Sequence, residues 1–470
     1  MFSVRRWGAT RLAAAVLASG LAAVGAIAAA GPAAADDTVP ASGGANAVLD
    51  GLRTFGQAVI HNDAGDQKVG AGLFQMTVEG GGTLQTYCID VHNPTQANAK
   101  YQEKPWSQTS LHDNADAGKI RWILQNSYPQ VNDLSKLAAA AKSGALTEKT
   151  AATGTQVAIW RFSDRVDVEA VDPAAEKLAD WLEASARDLE EPRASLTLDP
   201  PAVSGKSGDR LGPVTVHTDA ASVAVSLDPA AEATGVKVVG RDGAPATAAA
   251  NGTELFFDVP KGAADGSTSL TAQATTKVPV GRAFASDSKS QTQILAGSSD
   301  STVKATATAD WAKKGAIPAV SAEKNCAKGG VDVTAANQGD EPFTFELAGT
   351  EYTVEAGRSR TVTVPVKEDQ AYDFTITGPN GFEKNFSGVL DCKTAGTPST
   401  DRPSPEPSPA SAGGSSEGST GGSGTSGEDL AETGSSSATP VIAGIAVALV
   451  AVGGGAVFLL RRRKAGTAGE

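Results

Sequence analysis

Cys88 and Gln156 are the residues in this chain whose types set a chemistry apart. Cys88 stands in Tyr87-Cys88-Ile89-Asp90, and Gln156 in Thr155-Gln156-Val157-Ala158-Ile159-Trp160. A thiol and a side-chain carboxamide held together in a dry site can condense with loss of ammonia. The product is an internal thioester, a stored electrophile. Its formation needs a deprotonated thiol, and a free cysteine titrates at about 8.5. The developing oxyanion needs hydrogen-bond donors. Gln156 is expected near the start of a helix capped by Thr147 or Thr153, where free N–H groups and the positive dipole end are available. A partner lysine, with a pKa of about 10.4, would then open the bond only with docking and a local base. Asp90, His92 and His112 are the candidates for that base. The product is an amide on the Gln156 side-chain carbonyl, with Cys88 released as a thiol. Such a bond forms once, so the chain is expected to be a single-use reagent and not an enzyme.

Two other readings use the same residues. Thr153-x-x-Gln156 fits a helix capping box, which would leave the glutamine structural and Cys88 an inert buried thiol. Cys88 and His92 are four apart, on one face of a strand, as a cysteine hydrolase would need. No third, orienting group accompanies them.

The chain has three cysteines. Cys326 and Cys392 bracket one β-rich stretch and are expected to pair in an oxidising compartment. Cys88 is then the one left over. The four histidines, His61, His92, His112 and His217, lack metal-ligand spacing, so neither a metal nor a cofactor is expected. A formal net charge of −13 argues against nucleic acid as a partner.

The ends of the chain speak for export. Arg5, Arg6 and Arg11 precede an apolar, alanine-rich run that closes on Ala33-Ala34-Ala35, the pattern of a signal peptide over 1–35. Arg5-Arg6 raises a twin-arginine route, but Trp7-Gly8-Ala9 fits it poorly and the general secretory route is favoured. Residues 394–429 are rich in Pro, Ser, Gly and Thr and cannot bury a core, so they read as an extended stalk. Leu430-Ala431-Glu432-Thr433-Gly434 follows, then an apolar run over 440–460 long enough to span a bilayer, then the basic tail 461–470.

Between these ends lie roughly 350 residues, enough for two or three domains. Residues 46–193 begin with strand-like segments that carry Cys88 and continue as helices. Lys119 to Leu124, Leu134 to Ala145, a third run ending at Ser163, and a fourth opened by Asp172-Pro173 mark those helices. Residues 194–314 alternate as strands, Val223-Ala224-Val225-Ser226-Leu227 among them, and read as a β-sandwich. Residues 315–393 read as a second, smaller sandwich stapled by Cys326 and Cys392. The expected class is a multidomain chain: a mixed α/β domain, two all-β immunoglobulin-like sandwiches, a disordered stalk and a terminal transmembrane helix.

Two resemblances add to this. The Leu430–Gly434 pentapeptide resembles the sorting signal of Gram-positive wall-anchored proteins, in an actinobacterial variant. That resemblance implies cleavage by a sortase between Thr433 and Gly434, and attachment of Thr433 to peptidoglycan in the cell wall. Residues 48–193 resemble the thioester domains of Gram-positive surface adhesins, through Tyr-Cys-Ile-Asp at 87–90 and Thr-Gln-x-Ala-Ile-Trp at 155–160. It implies covalent adhesion through Cys88 and Gln156 to an amine-bearing surface ligand. Cross-linking to the producing organism's own envelope would use the same bond.

Overall fold

The computed structural model describes residues 43–393, apart from 64, 230–233 and 289. The expected signal peptide, stalk, sorting motif, membrane span and basic tail lie outside the described residues. Among the described residues, no helix is long and apolar enough to cross a membrane.

The first half opens with strands β1 (Asn46–Ile60), β2 (Gln67–Val78), β3 (Thr83–Cys88) and β4 (Lys100–Lys104). Helices α1 (Ala117–Asn126), α2 (Leu134–Ala141) and α3 (Glu148–Ser163) follow, then β5 (Val168–Ala170) and α4 (Pro173–Ser185). Gly80, Gly81 and Gly82 turn β2 into β3 with φ values from 86° to 117°, a region that disfavours side chains. Lys142, in the left-handed conformation, ends α2 before the expected Ala145. Asp172 caps α4 by accepting the Ala174 and Ala175 N–H groups, with Pro173 as the first helical residue.

The second half supplies β6 (Leu196–Asp199), β7 (Ala202–Lys206), β8 (Arg210–Thr218), β9 (Val223–Leu227), β10 (Lys237–Gly240) and β11 (Ala248–Ala249). Then come β12 (Glu254–Asp258), β13 (Gly266–Lys277), β14 (Ala283–Ser286), β15 (Gln293–Ser298) and β16 (Asp300–Ala312). Two sheets form from these, ordered β10-β12-β8-β6 and β11-β9-β13-β16-β7. Their buried residues meet across neighbouring strands, as at Leu270 with Ala307 and Ala272 with Ala305.

Strands β14 and β15 do not join those sheets. β15 pairs with β3 and β14 with β4, while β1 pairs with both β2 and β4. The circuit β1-β2-β3-β15-β14-β4 therefore closes on itself as an antiparallel ring. This differs from the expected division at 193/194, because residues 283–298 complete the first region from within 194–314. Without them β3 and β4 would each carry an open edge. Phe284, Ile294, Leu295 and Ala296 are also wholly buried there.

A buried ion pair marks the same junction. Glu103 on β4 accepts Arg282 Nε at 2.8 Å, and its two oxygens also take the Ala45 and Ser195 N–H groups. Arg282 reaches Glu191 Oε1 at 2.6 Å and the Pro192 carbonyl. The linker between the regions is thereby tied to the ring at both of its sides.

The last stretch is a smaller β module with its own apolar core, around Val331, Val333, Phe343, Phe345 and Phe386. Its strands are Pro318–Asn325, Gly330–Asn337 and Arg358–Pro365 in one sheet, with two hairpins beside it. Cys326 and Cys392 form a disulfide.

Candidate functional site

Strand β3 ends at Cys88, which lies opposite Gln293 of β15. The next N–H, of Ile89, donates to the Thr292 carbonyl, and the chain then turns. In that turn the Asp90 N–H donates to Cys88 Sγ at 3.3 Å. Helix α3 runs across β1, β2 and β3, and every residue from Ala151 to Trp160 is buried. Gly154 permits this packing, since a Cβ there would sit 2.4 Å from the Ala175 carbonyl oxygen of α4.

Gln156 projects from α3 onto the Cys88 backbone. The Cys88 N–H donates to Gln156 Oε1 at 3.0 Å, and Gln156 Nε2 donates to the Cys88 carbonyl at 2.8 Å. Two bonds to one residue fix the carboxamide beside the cysteine that would attack it. Both residues have no solvent exposure. The arrangement supplies one thing condensation needs, a donor on Oε1. A negative charge developing on Oε1 would stay on the Cys88 N–H, and the amide nitrogen that must leave faces away from it.

Two expectations about α3 are corrected here. Its cap is Thr147, in a capping box with Thr150. Gln156 therefore lies roughly two turns inside the helix, and the free N–H groups of the helix start are out of its reach. The N–H that Gln156 Oε1 accepts is that of Cys88 instead. Nor does Thr153 cap anything, because its hydroxyl bonds the Lys149 and Ala71 carbonyls. Gln156 is not a capping glutamine.

Residues 85–188 match the family model described as "Thioester domain". This chain carries a thioester domain. Residues 318–389 match a second model, "Bacterial phospholipase C, C-terminal domain". Among solved structures, the Bacillus anthracis TIE protein aligns over 74% of this chain and 81% of its own, at 14% identity and a TM-score of 0.26. The thioester domain of the Enterococcus faecium TIE86 protein aligns over 57% of this chain and 97% of its own, at 15% identity and a TM-score of 0.26. No curated protein matches the chain significantly.

Around the thioester domain's Cys88 the charges are acidic. Burial pushes the Cys88 thiol well above its usual range, and the carboxylates of Asp164 and Asp90 push it further. The Asp90 N–H and the Trp160 indole oppose this. Trp160 Nε1 has no partner within hydrogen-bonding geometry, yet it is near enough to Cys88 to favour the thiolate. The thiol is thus protonated at neutral pH and requires a base. Asp90 is wholly buried and raised to about 7, mainly by desolvation and then by Asp164. Asn93 Nδ2 donates to Asp90 Oδ2 at 2.6 Å, while Asp90 Oδ1 is buried without a partner.

The structure brings Cys88, Gln156 and Asp90 together. It does not bring the histidines to them. The His92 ring is half-buried, and burial lowers its pKa. His112 Nδ1 faces the Thr109 carbonyl at 3.1 Å and Asp113 at 3.6 Å. Among the described residues, neither ring bonds Cys88, Gln156 or Asp90. Asp164 was not singled out from the sequence. A signal for it existed: Gln156, Trp160 and Asp164 recur at i, i+4 and i+8, one face of α3.

Among the described residues, three metal-type side chains gather at Glu368, Asp369 and Asp391, with ligand atoms within 4.8 Å of one another. Glu368 Oε1 already accepts the Cys392 and Lys393 N–H groups. This group belongs to the C-terminal module, and its charges act on Asp90 and are acted on by it.

Proposed function

We propose that this is a secreted, wall-anchored surface protein whose Cys88–Gln156 thioester captures a partner amine covalently. The observation that carries the reading is the two-point hold of the Gln156 carboxamide on the Cys88 backbone, at full burial. A structural glutamine needs no cysteine there, and an inert cysteine needs no carboxamide aligned on its own peptide.

In this reading the amine nitrogen attacks the Gln156 carbonyl, an amide C–N bond forms, and the C–S bond breaks. Cys88 leaves as a thiolate and takes the proton that the amine gives up. One bond is made per molecule, so the protein is a reagent and not a turnover enzyme. Because both residues are buried, a lysine carried on a protein reaches them only when docking opens the site, whereas a small amine such as methylamine, supplied in excess, enters without a docked partner. The partner class is a protein or surface bearing a lysine-type amine.

The remaining parts serve presentation. Residues 194–314, less the two strands lent to the ring, and residues 315–393 act as immunoglobulin-like spacers. The 394–429 stalk, the Leu430-Ala431-Glu432-Thr433-Gly434 signal and the 440–460 span direct sortase attachment of Thr433 to peptidoglycan.

The test is capture. The secreted chain is incubated with amine-bearing surface proteins and run under boiling, reducing conditions. The proposal expects a retained adduct, mapped to Gln156, which Cys88→Ala and Gln156→Ala both abolish. Release of altered ligand over many turnovers, with no adduct retained, would overturn it.

A further inference from the structure

Asp164 sits at the C-terminal cap of α3, on the face that carries Gln156 and Trp160. Its Oδ1 accepts the Val91 N–H at 2.9 Å, and its Oδ2 accepts the Ser163 hydroxyl at 2.6 Å. The first bond ties the end of α3 to the residue next to Asp90. The helix that delivers the carboxamide and the turn that delivers the acid are thus joined by one side chain. Asp90 Oδ1, in the same turn, is buried and unpartnered.

From this geometry we infer that Asp164 is a positioning residue for the thioester chemistry: it anchors the Cys88–Val91 turn and holds a negative charge against Asp90, so that Asp90 can carry a proton from the Cys88 sulfur to the departing nitrogen. The inference rests on the thioester reading above and deepens it. The Asp90 carboxylate takes the thiol proton, and the sulfur lone pair forms a C–S bond to the Gln156 carboxamide carbon. The carbonyl π pair moves to Oε1, held by the Cys88 N–H. The pair then returns, the C–N bond breaks, and Asp90 gives its proton to the nitrogen. Ammonia leaves and Asp90 is a carboxylate again. Opening by an amine runs through the same groups in reverse order.

A group that both takes and returns a proton works best when its pKa lies near the working pH. Asp90 meets that condition at about 7, and after desolvation Asp164 is the largest cause. The other groups that raise Asp90 or are raised by it are acidic too: Asp369, Asp391, Tyr101 and Cys88. Asn93 and the Thr292 N–H act in the opposite sense on Asp90, and Lys324 does so on Asp391.

The experiment follows methylamine incorporation into the full secreted chain by intact mass, between pH 5 and 9, with rates corrected for the free-amine fraction. Wild type is expected to show an acid limb near the Asp90 value. Asp164→Asn keeps an oxygen for the Val91 N–H and removes the charge. Its limb should move about one pH unit toward acid. Asp164→Glu should restore it. Should the Asn variant fail to fold, Ser163→Ala tests the same point. It removes a hydrogen bond that favours the Asp164 carboxylate, and the shift should be smaller and in the same direction. A limb that stays in place in both variants while methylamine is still incorporated would overturn the role of Asp164 and leave the thioester standing. A wild type that neither loses ammonia nor takes up methylamine would overturn the thioester reading, and the role of Asp164 would fall with it.

Discussion

Cys88 and Cys326 find their partners across similar lengths of chain, 68 residues to Gln156 and 66 to Cys392. What surrounds them differs. The disulfide closes a small module with an apolar core of its own, built from hairpins between neighbours in sequence. Cys88 lies in the main core, at the end of a strand whose second neighbour, β15, comes from far along the chain. The first cysteine pair needs only an oxidant and a local fold. The Cys88–Gln156 pair needs the closed ring, α3 laid across it, and the acids at the end of β3. The same side chain is a staple in one place and, in the function proposed above, a reagent in the other, because the surroundings of the two sulfurs differ.

The sharpest way to break this comparison is to exchange what each site depends on. Cys88→Ala or Gln156→Ala should abolish methylamine incorporation in an intact-mass assay. The double change Cys326→Ser with Cys392→Ser should leave it intact. That double change should instead cost about 4 kcal/mol in chemical denaturation, the loop-entropy value for a closure of this length. Glu103→Ala should do what loss of the disulfide does not. It leaves Arg282 buried beside an emptied site, costs about 3 kcal/mol, and lowers methylamine uptake by loosening the ring.

A pH scan sharpens the comparison further. Asp90, Asp164 and Asp391 are raised to about 7, 6 and 8, chiefly by burial. Their contribution to stability is complete below the ordinary carboxylate pKa of about 4 and is lost as pH rises through 6 to 8. The melting temperature should therefore fall between pH 5 and pH 8. Asp391→Asn should flatten the upper part of that fall. The smallest effect expected is at α4, where Asp172→Ala removes a cap worth about 1 kcal/mol in thermal denaturation, with methylamine uptake unchanged.

Legibility followed the same divide. The disulfide, the hairpins of the last module and the Asp172-Pro173 helix start rest on local rules, and the residues themselves display them. Cys88 and Gln156 stood out because their side chains can react. Strands β14 and β15 did not, since Ala283–Ser286 and Gln293–Ser298 are short, are buried on both faces without alternation, and carry no residue that marks which edge they will pair with. The start of α3 was blurred by Thr147 and Thr153, both suited to capping; the Thr147–Thr150 capping box, with Ala151 and Ala152 buried just behind it, decides for Thr147. Glu103 and Arg282 look like surface charges in sequence, and only the ring makes them a buried pair. Asp164 shares a helix face with Gln156, which the spacing shows, but its bond to the Val91 N–H is to a backbone group far off in sequence, which the spacing does not show.

The central claim is a bond between Cys88 and Gln156, and the intact mass of the purified chain tests it most directly. Beside a Cys88→Ala reference, with the disulfide common to both, wild type should be lighter than its sequence mass by one ammonia. Methylamine should then add to it at Gln156. A wild-type mass with no ammonia lost, a free thiol at Cys88 and an unmodified Gln156 would contradict the account.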